Sequence, residues 1–312
     1  MFHELKKLLR IKKGLRIAFY NNAGKVLIRS TKEYDNRLFP GRAVCISERS
    51  SIRCKKRIVI EKAELKRGRR MELNKKKALI IGASRGIGEA VATAYAREGA
   101  DVVLVGRNVE ALKIVKEKVL RFGGKAYCLE WDIREVSRAD EVMKTSSELL
   151  GGLDIVVNNA GVIEREQFLS VREEAWDTVM DINVKGVYFS CQAVANYFIK
   201  NGVKGKIINM ASETGFQPSA MPYGISKWAV VGFSMGMAKH LFRHGVILSS
   251  IAPGPIATDM MCWKEGSSKN FPNCFGTMGS PEEVADLAVF LASDKNQRII
   301  GRPVFVSGGL DW

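Results

Sequence analysis

Tyr223 and Lys227 stand four residues apart in the stretch Tyr-Gly-Ile-Ser-Lys. In a helix that spacing puts the phenol and the ammonium on one face. A free tyrosine titrates near about 10, too high for a base at neutral pH, and a neighbouring cation favours the phenolate and lowers that value. The pair therefore offers proton transfer to or from a substrate oxygen. Far upstream, Gly82-Ala83-Ser84-Arg85-Gly86-Ile87-Gly88 follows an apolar run and precedes an amphipathic one. Glycines there let the backbone approach a pyrophosphate, and a helix start presents free N–H groups and a positive dipole end. With a dinucleotide in that turn, Lys227 can also hydrogen-bond the nicotinamide ribose.

Position 107 bears on which dinucleotide. The second strand ends in Val105-Gly106-Arg107, where an NAD site would carry an acid for the adenine ribose hydroxyls. Arg107 and Arg85 suit a 2′-phosphate instead, because a guanidinium pairs phosphate oxygens in a fixed fork. NADP(H) is expected over NAD(H). Asp132, just past the third strand, is placed to accept from the adenine amino group or to cap the helix that follows.

These residues need a frame, and the chain from about residue 75 supplies one. Short β-branched runs at 78–81, 102–105, 126–130, 155–157, 206–210, 246–251 and 303–306 alternate with helical periods at 87–98, 109–122, 135–150, 176–200, 223–243 and 281–291. Several runs are nearly continuous in apolar residues, as strands buried on both faces are. The expected fold is α/β, a Rossmann-like doubly wound parallel sheet of about seven strands. Ser280-Pro281 reads as an N-cap followed by proline at the first helical position. The aperiodic stretch 258–277 reads as a mobile loop.

The remaining 70 residues follow a different grammar. The chain of 312 residues carries a formal charge of +16. Residues 1–70 hold 21 Lys/Arg against 6 Asp/Glu, net +15, and residues 71–312 hold 28 against 27, net +1. Two domains are expected, a basic extension over 1–70 and a catalytic domain over 71–312. Runs at 16–20 and 25–28 around Asn21-Asn22-Ala23-Gly24 suggest a hairpin. One reading makes the extension a tether to nucleic acid or an anionic surface. The other makes Met71 the native start, with residues 1–70 an upstream region read in frame. Six cysteines without a CxxC pair or zinc-like histidine spacing fit a reduced, cytoplasmic protein, and no apolar run has the length of a membrane span.

With these motifs in order, the chain from about Lys75 to its end resembles the short-chain dehydrogenase/reductase family. The resemblance rests on the Gly82 to Gly88 turn, Asp132, Asn158-Asn159-Ala160-Gly161, Asn183, Ser212, Tyr223 with Lys227, and Pro253-Gly254 with Thr258. It implies a catalytic group of Asn183, Ser212, Tyr223 and Lys227. Tyr223 would be the acid in carbonyl reduction or the base in alcohol oxidation, Ser212 would orient the substrate oxygen, Lys227 would lower the Tyr223 pKa and hold the ribose, and Asn183 would interrupt its helix and hold a water in a relay to Lys227. It places Asp132 and Ile133, with Asn159, Ala160 and Gly161, on the adenine-ribose side, and Pro253, Gly254, Ile256 and Thr258 at the nicotinamide carboxamide. A 3-oxoacyl-carrier-protein reductase and a sugar, polyol or small-ketone reductase are both plausible members, and a catalytically silent NADP-binding protein is the alternative. Homodimers or homotetramers are the expected assembly, and 258–277 the expected lid.

The pattern departs from the family at Ile81, where Thr is common, at Ser249, where Asn is common, and at Ser307, where Asp often precedes the final Gly-Gly. Ser212 and Tyr223 are eleven positions apart, closer than is usual in the family, so the intervening loop must be tight. Outside the motifs, His240 and His244 read as surface or capping histidines, Met235, Met237 and Phe233 as packing residues, and Cys128 and Cys191 as small core residues. Glu213 has two readings, a substrate contact or an exposed loop residue.

Overall fold

Burial on both faces of a sheet is what the continuous apolar runs demand, and the fold meets it. The computed structural model describes residues 11–20, 26–34, 58–59 and 71–309, and the chain divides into two compact units, Met1–Arg69 and Arg70–Trp312. In the first unit, β1 (Ile11–Tyr20) and β2 (Val26–Tyr34) pair antiparallel, and β3 (Ile58–Val59) pairs with β1. The expected turn at 21–24 and most of the basic run before Met71 lie outside the described residues.

The second unit contains β4 (Lys77–Ile81), β5 (Asp101–Gly106), β6 (Ala126–Glu130), β7 (Ile155–Asn158), β8 (Lys206–Met210), β9 (Ile247–Pro253) and β10 (Pro303–Val306). They form one parallel sheet in the order β10-β9-β8-β7-β4-β5-β6. The expected Rossmann-like sheet is therefore what the chain builds. Strand order reverses at β4, between β5 and β7, and a ligand crevice opens at the carboxyl ends there. Alternate residues of β4 feed opposite cores. Ala78 and Ile80 pack with α1 (Gly86–Arg97), α2 (Val109–Leu120) and α7 (Pro281–Ala292), whereas Leu79 and Ile81 pack with α3 (Ala139–Leu150), α5 (Val187–Lys200) and α6 (Pro222–Leu241).

Three local outcomes matter for the site. The helix expected over 176–200 begins earlier, as α4 (Glu173–Met180), and is interrupted by a π-helical turn, Asp181–Gly186, before α5 resumes. β9 runs two residues past its expected end and carries Pro253 on the strand itself. α7 starts with a full capping box: Ser280 Oγ accepts from Glu283 N at 3.3 Å, and Glu283 Oε2 accepts from Ser280 N at 2.7 Å. No helix of the described residues is long and apolar enough to cross a membrane.

Candidate active site

The glycine turn is shaped by what touches it. Gly82, at φ +82°, carries the chain off β4, and a β-carbon there would meet Ala160 N at 2.7 Å. At Gly88 a β-carbon would lie 2.0 Å from the Gly82 carbonyl, so only glycine lets α1 start so close to the strand. Asn159 Nδ2 donates to that same carbonyl at 2.8 Å, so this side chain braces the turn from β7. Arg85, the N-cap of α1, makes no side-chain cap bond, which leaves the first-turn N–H groups to face a ligand.

This cradle opens into a 910 Å³ groove lined by Gly82, Ser84, Arg85, Gly86, Ile87, Arg107, Asp132, Ile133, Asn159, Ala160, Gly161 and Thr258. Gly88 sits behind it as a packing residue. The glycine cradle, the free helix start and the arginines fit a phosphate-bearing dinucleotide. Arg107 Nη1 lies 3.9 Å from Asp132 Oδ2, and Arg85 Nη1 lies 3.4 Å from Asp259 Oδ2 on the 258–277 loop. Asp132 does not cap the following helix. Its carboxylate is gripped by Arg134, with Nη2 to Oδ2 at 2.6 Å, Nε to Oδ1 and Oδ2 at 3.1 and 3.0 Å, and the Arg134 N–H to Oδ1 at 3.0 Å. That grip, with a smaller contribution from Arg107, outweighs desolvation and holds the carboxyl below its ordinary value.

The second half of the site gathers at the ends of β8 and β9. Pro222 at the first helical position opens α6, so Tyr223 and Lys227 share its first turns. Ser212 follows β8 as the N-cap of a short 3-10 turn, Glu213–Phe216. Its Oγ accepts from Thr214 Oγ1 at 3.0 Å and lies near enough to the Tyr223 phenol to favour its ionised form. Pro253 and Gly254 lie next to it, with Ser212 Oγ donating to the Pro253 carbonyl at 3.5 Å. Trp228 Nε1 donates to Gln217 O at 2.6 Å, and this pins the tight loop between Ser212 and Tyr223 onto α6. Ile256 forms a parallel bridge with Gly279 and is buried, just before Thr258.

One expected role changes. Lys227 is fully enclosed, and its ammonium donates to the Met210 carbonyl at 2.9 Å while lying 5.6 Å from the Tyr223 ring centroid. Burial lowers Lys227 to about 8. Burial pushes the Tyr223 phenol up, offset in part by the Ser212 hydrogen bond, so the expected lowering by Lys227 gives way to desolvation. Asn183 does sit in the π-turn, and both of its amide hydrogens are used. Oδ1 accepts from Val162 N at 2.8 Å, and Nδ2 donates to Val162 O at 2.9 Å and Ser226 Oγ at 3.0 Å. Gly161 lies beside both groups: a β-carbon there would stand 3.4 Å from Asn183 Oδ1 and 3.6 Å from Lys227 Nζ.

Residue-type reasoning passed over Arg134, Asp259 and the Met210 carbonyl. Arg134 was findable as a cation two residues after the acid in Asp132-Ile133-Arg134, but a backbone acceptor carries no signal in the sequence. Glu213, read either as a substrate contact or as an exposed loop residue, is buried at 5% exposure, which removes the exposed alternative.

Comparison with known proteins agrees with this assembly. The short chain dehydrogenase family model matches residues 76–266. Galactitol 2-dehydrogenase of Agrobacterium fabrum is 34% identical over 78% of this chain and 99% of its own length. The 3-oxoacyl-[acyl-carrier-protein] reductase of Aquifex aeolicus is 32% identical over 77% of this chain and 99% of its own. Among solved structures, a short-chain type dehydrogenase/reductase from Mycobacterium marinum superposes with a TM-score of 0.71 at 34% identity, over 77% of this chain and 97% of that one. A Burkholderia cenocepacia short-chain dehydrogenase in complex with NADP gives 0.70 at 27% identity, over 77% and 99%. A glycine turn opening a helix, a Ser-Tyr-Lys group at the strand ends and relatives matched over nearly their whole length converge on one conclusion: the chain belongs to the short-chain dehydrogenase/reductase family of oxidoreductases.

Proposed function

We propose that the protein reduces a small-molecule carbonyl to a secondary alcohol with NADPH, and runs the reverse oxidation with NADP+. The observation that carries this is the meeting of Ser212, Tyr223 and Lys227 beside a groove whose second strand ends in Arg107 rather than an acid. Gly82, Ser84, Gly86 and Ile87 would cradle the pyrophosphate at the start of α1. Arg85 and Arg107 would take the 2′-phosphate, Asp132 and Ile133 the adenine, and Asn159, Ala160 and Gly161 the ribose side. Pro253, Gly254, Ile256 and Thr258 would hold the carboxamide. The bound cofactor supplies the hydride.

Ser212 donates to the carbonyl oxygen and fixes it beside the phenol. Tyr223 then gives that oxygen a proton as it becomes an alkoxide. A phenol pushed up by burial keeps its proton at neutral pH, which suits the reducing direction. Lys227 would hold the ribose, and a water beside Asn183 would restore the proton.

Relatives that act on galactitol and on 3-oxoacyl-[acyl-carrier-protein] support polyols, sugars and 3-oxoacyl thioesters as the classes to try first. Exposed aromatics on α5 (Tyr188, Phe189) and Trp228 with Met235 on α6 support a homodimer or homotetramer. The free thiols of the described cysteines, Cys128, Cys191, Cys262 and Cys274, support a cytoplasmic location. The deciding experiment assays the full chain against a panel of ketoses, small ketones and 3-oxoacyl thioesters with both cofactors. Turnover with NADPH well above NADH is expected. Equal efficiency overturns the cofactor assignment, and no turnover with any substrate favours a silent NADP-binding protein.

A further inference from the structure

Burying a carboxylate is costly unless its place is built for it. Glu213 directly follows Ser212 and is 5% exposed. Its Oε2 lies 2.7 Å from where a β-carbon of Gly254 would stand, and Ser307 Cα and Cβ lie 2.8 and 2.9 Å from the same point. The carboxylate of Glu213 and the short side chain of Ser307 therefore share one small volume, which Gly254 leaves vacant by lacking a side chain. Gly254 N donates to Val306 O at 2.9 Å, so the ends of β9 and β10 are joined at that spot. Phe216, on the same 3-10 turn as Glu213, packs on Phe305 of β10 with ring centroids 4.7 Å apart. Ser212 Oγ reaches the Pro253 carbonyl next to it.

We propose that Glu213 is a positioning residue: its carboxylate fills the space that Gly254 leaves and so sets how closely the Ser212 turn approaches the Pro253–Gly254 end of β9, fixing the distance between the group that orients the substrate and the backbone that grips the nicotinamide. The volume holds one carboxylate, delivered from position 213 and deliverable from position 307. Two acids in one buried space cannot both ionise, so an acid at 307 is harmful beside Glu213 and useful in its absence. The inference rests on the nicotinamide placement proposed above.

The test uses the full chain with Glu213→Ser, Ser307→Asp and the double variant. NADPH and 2′,5′-ADP, which carries only the adenine half, are the probes. Each single variant should weaken NADPH about tenfold and leave 2′,5′-ADP within about twofold. The double variant should return NADPH to within about threefold of wild type by the same measure. A double variant no better than its worse parent, or 2′,5′-ADP weakened in step with NADPH, overturns the proposal. Melting of the ligand-free chain reads the exchange without cofactor. The double variant should melt above Ser307→Asp, and additive losses overturn the idea. Failure of wild type to bind NADPH would instead overturn the cofactor assignment and leave the melting comparison to decide Glu213.

Discussion

The Lys227 ammonium donates to the Met210 carbonyl at 2.9 Å, at the end of the strand that presents Ser212, and faces the Tyr223 ring from 5.6 Å. A charge held this deeply costs folding free energy, and its dependence on pH has a definite sign. Lys227 titrates at about 8 in the folded chain and at 10.5 when free. Below pH 8 both states hold the proton and the penalty is constant. From pH 8 to 10.5 the unfolded chain holds more protons, so Lys227 makes wild type gain stability with rising pH. Lys227→Met lacks that gain. Its melting temperature relative to wild type should fall steadily across this window and stay level below it, and a flat difference throughout would contradict a lowered lysine.

Tyr223→Phe keeps the ring and removes the hydroxyl proposed to transfer its proton to the substrate oxygen. Loss of a general acid is worth about 10²- to 10⁴-fold in turnover. The phenol faces Ser212 rather than the phosphate groove, so NADPH affinity, followed by fluorescence, should stay within about twofold of wild type, an effect well under 1 kcal/mol. Retained turnover would remove Tyr223 from the mechanism.

Arg107 stands where β5 ends, its side chain more than half exposed. One guanidinium–phosphate contact is worth about 1.5–3 kcal/mol. Arg107→Ala should therefore lower kcat/KM with NADPH by about ten- to a hundredfold and leave NADH nearly unchanged. A parallel fall with both cofactors would assign Arg107 to folding rather than to phosphate selection.

The architecture is legible in the sequence because sheet and helix periods differ and the strands are continuous apolar runs bounded by glycine turns. Tyr223, Lys227 and the glycine turn are legible because their chemistry requires particular residue types at fixed spacing. The interruption at Asn183 is legible only through the family resemblance, since the apolar period of 176–200 runs through Asp181–Gly186 without a break. Lys227 was expected to act on Tyr223 because charges announce themselves in a sequence. Its actual acceptor, the backbone of Met210, does not. Glu213 misleads in the opposite direction, since an acid in a loop suggests exposure until the vacant side of Gly254 is seen.

Arg134 and Arg107 compete for one acid. Arg134 holds Asp132 with hydrogen bonds as short as 2.6 Å, while Arg107 stands off at 3.9 Å. As long as Arg134 satisfies Asp132, Arg107 is available to an incoming phosphate. In Arg134→Ala the freed carboxylate should draw Arg107 toward itself, and the Asp132 carboxyl should titrate closer to its ordinary value. The exposed pair is worth about 1 kcal/mol, so the ratio of NADPH to NADH efficiency should fall about three- to tenfold with little change in melting temperature. Adding Asp132→Asn removes the competing charge and should restore the ratio, because any cost to adenine binding falls on both cofactors alike. A ratio unmoved by Arg134→Ala, or one that Asp132→Asn fails to restore, would show that Arg107 does not depend on its neighbour.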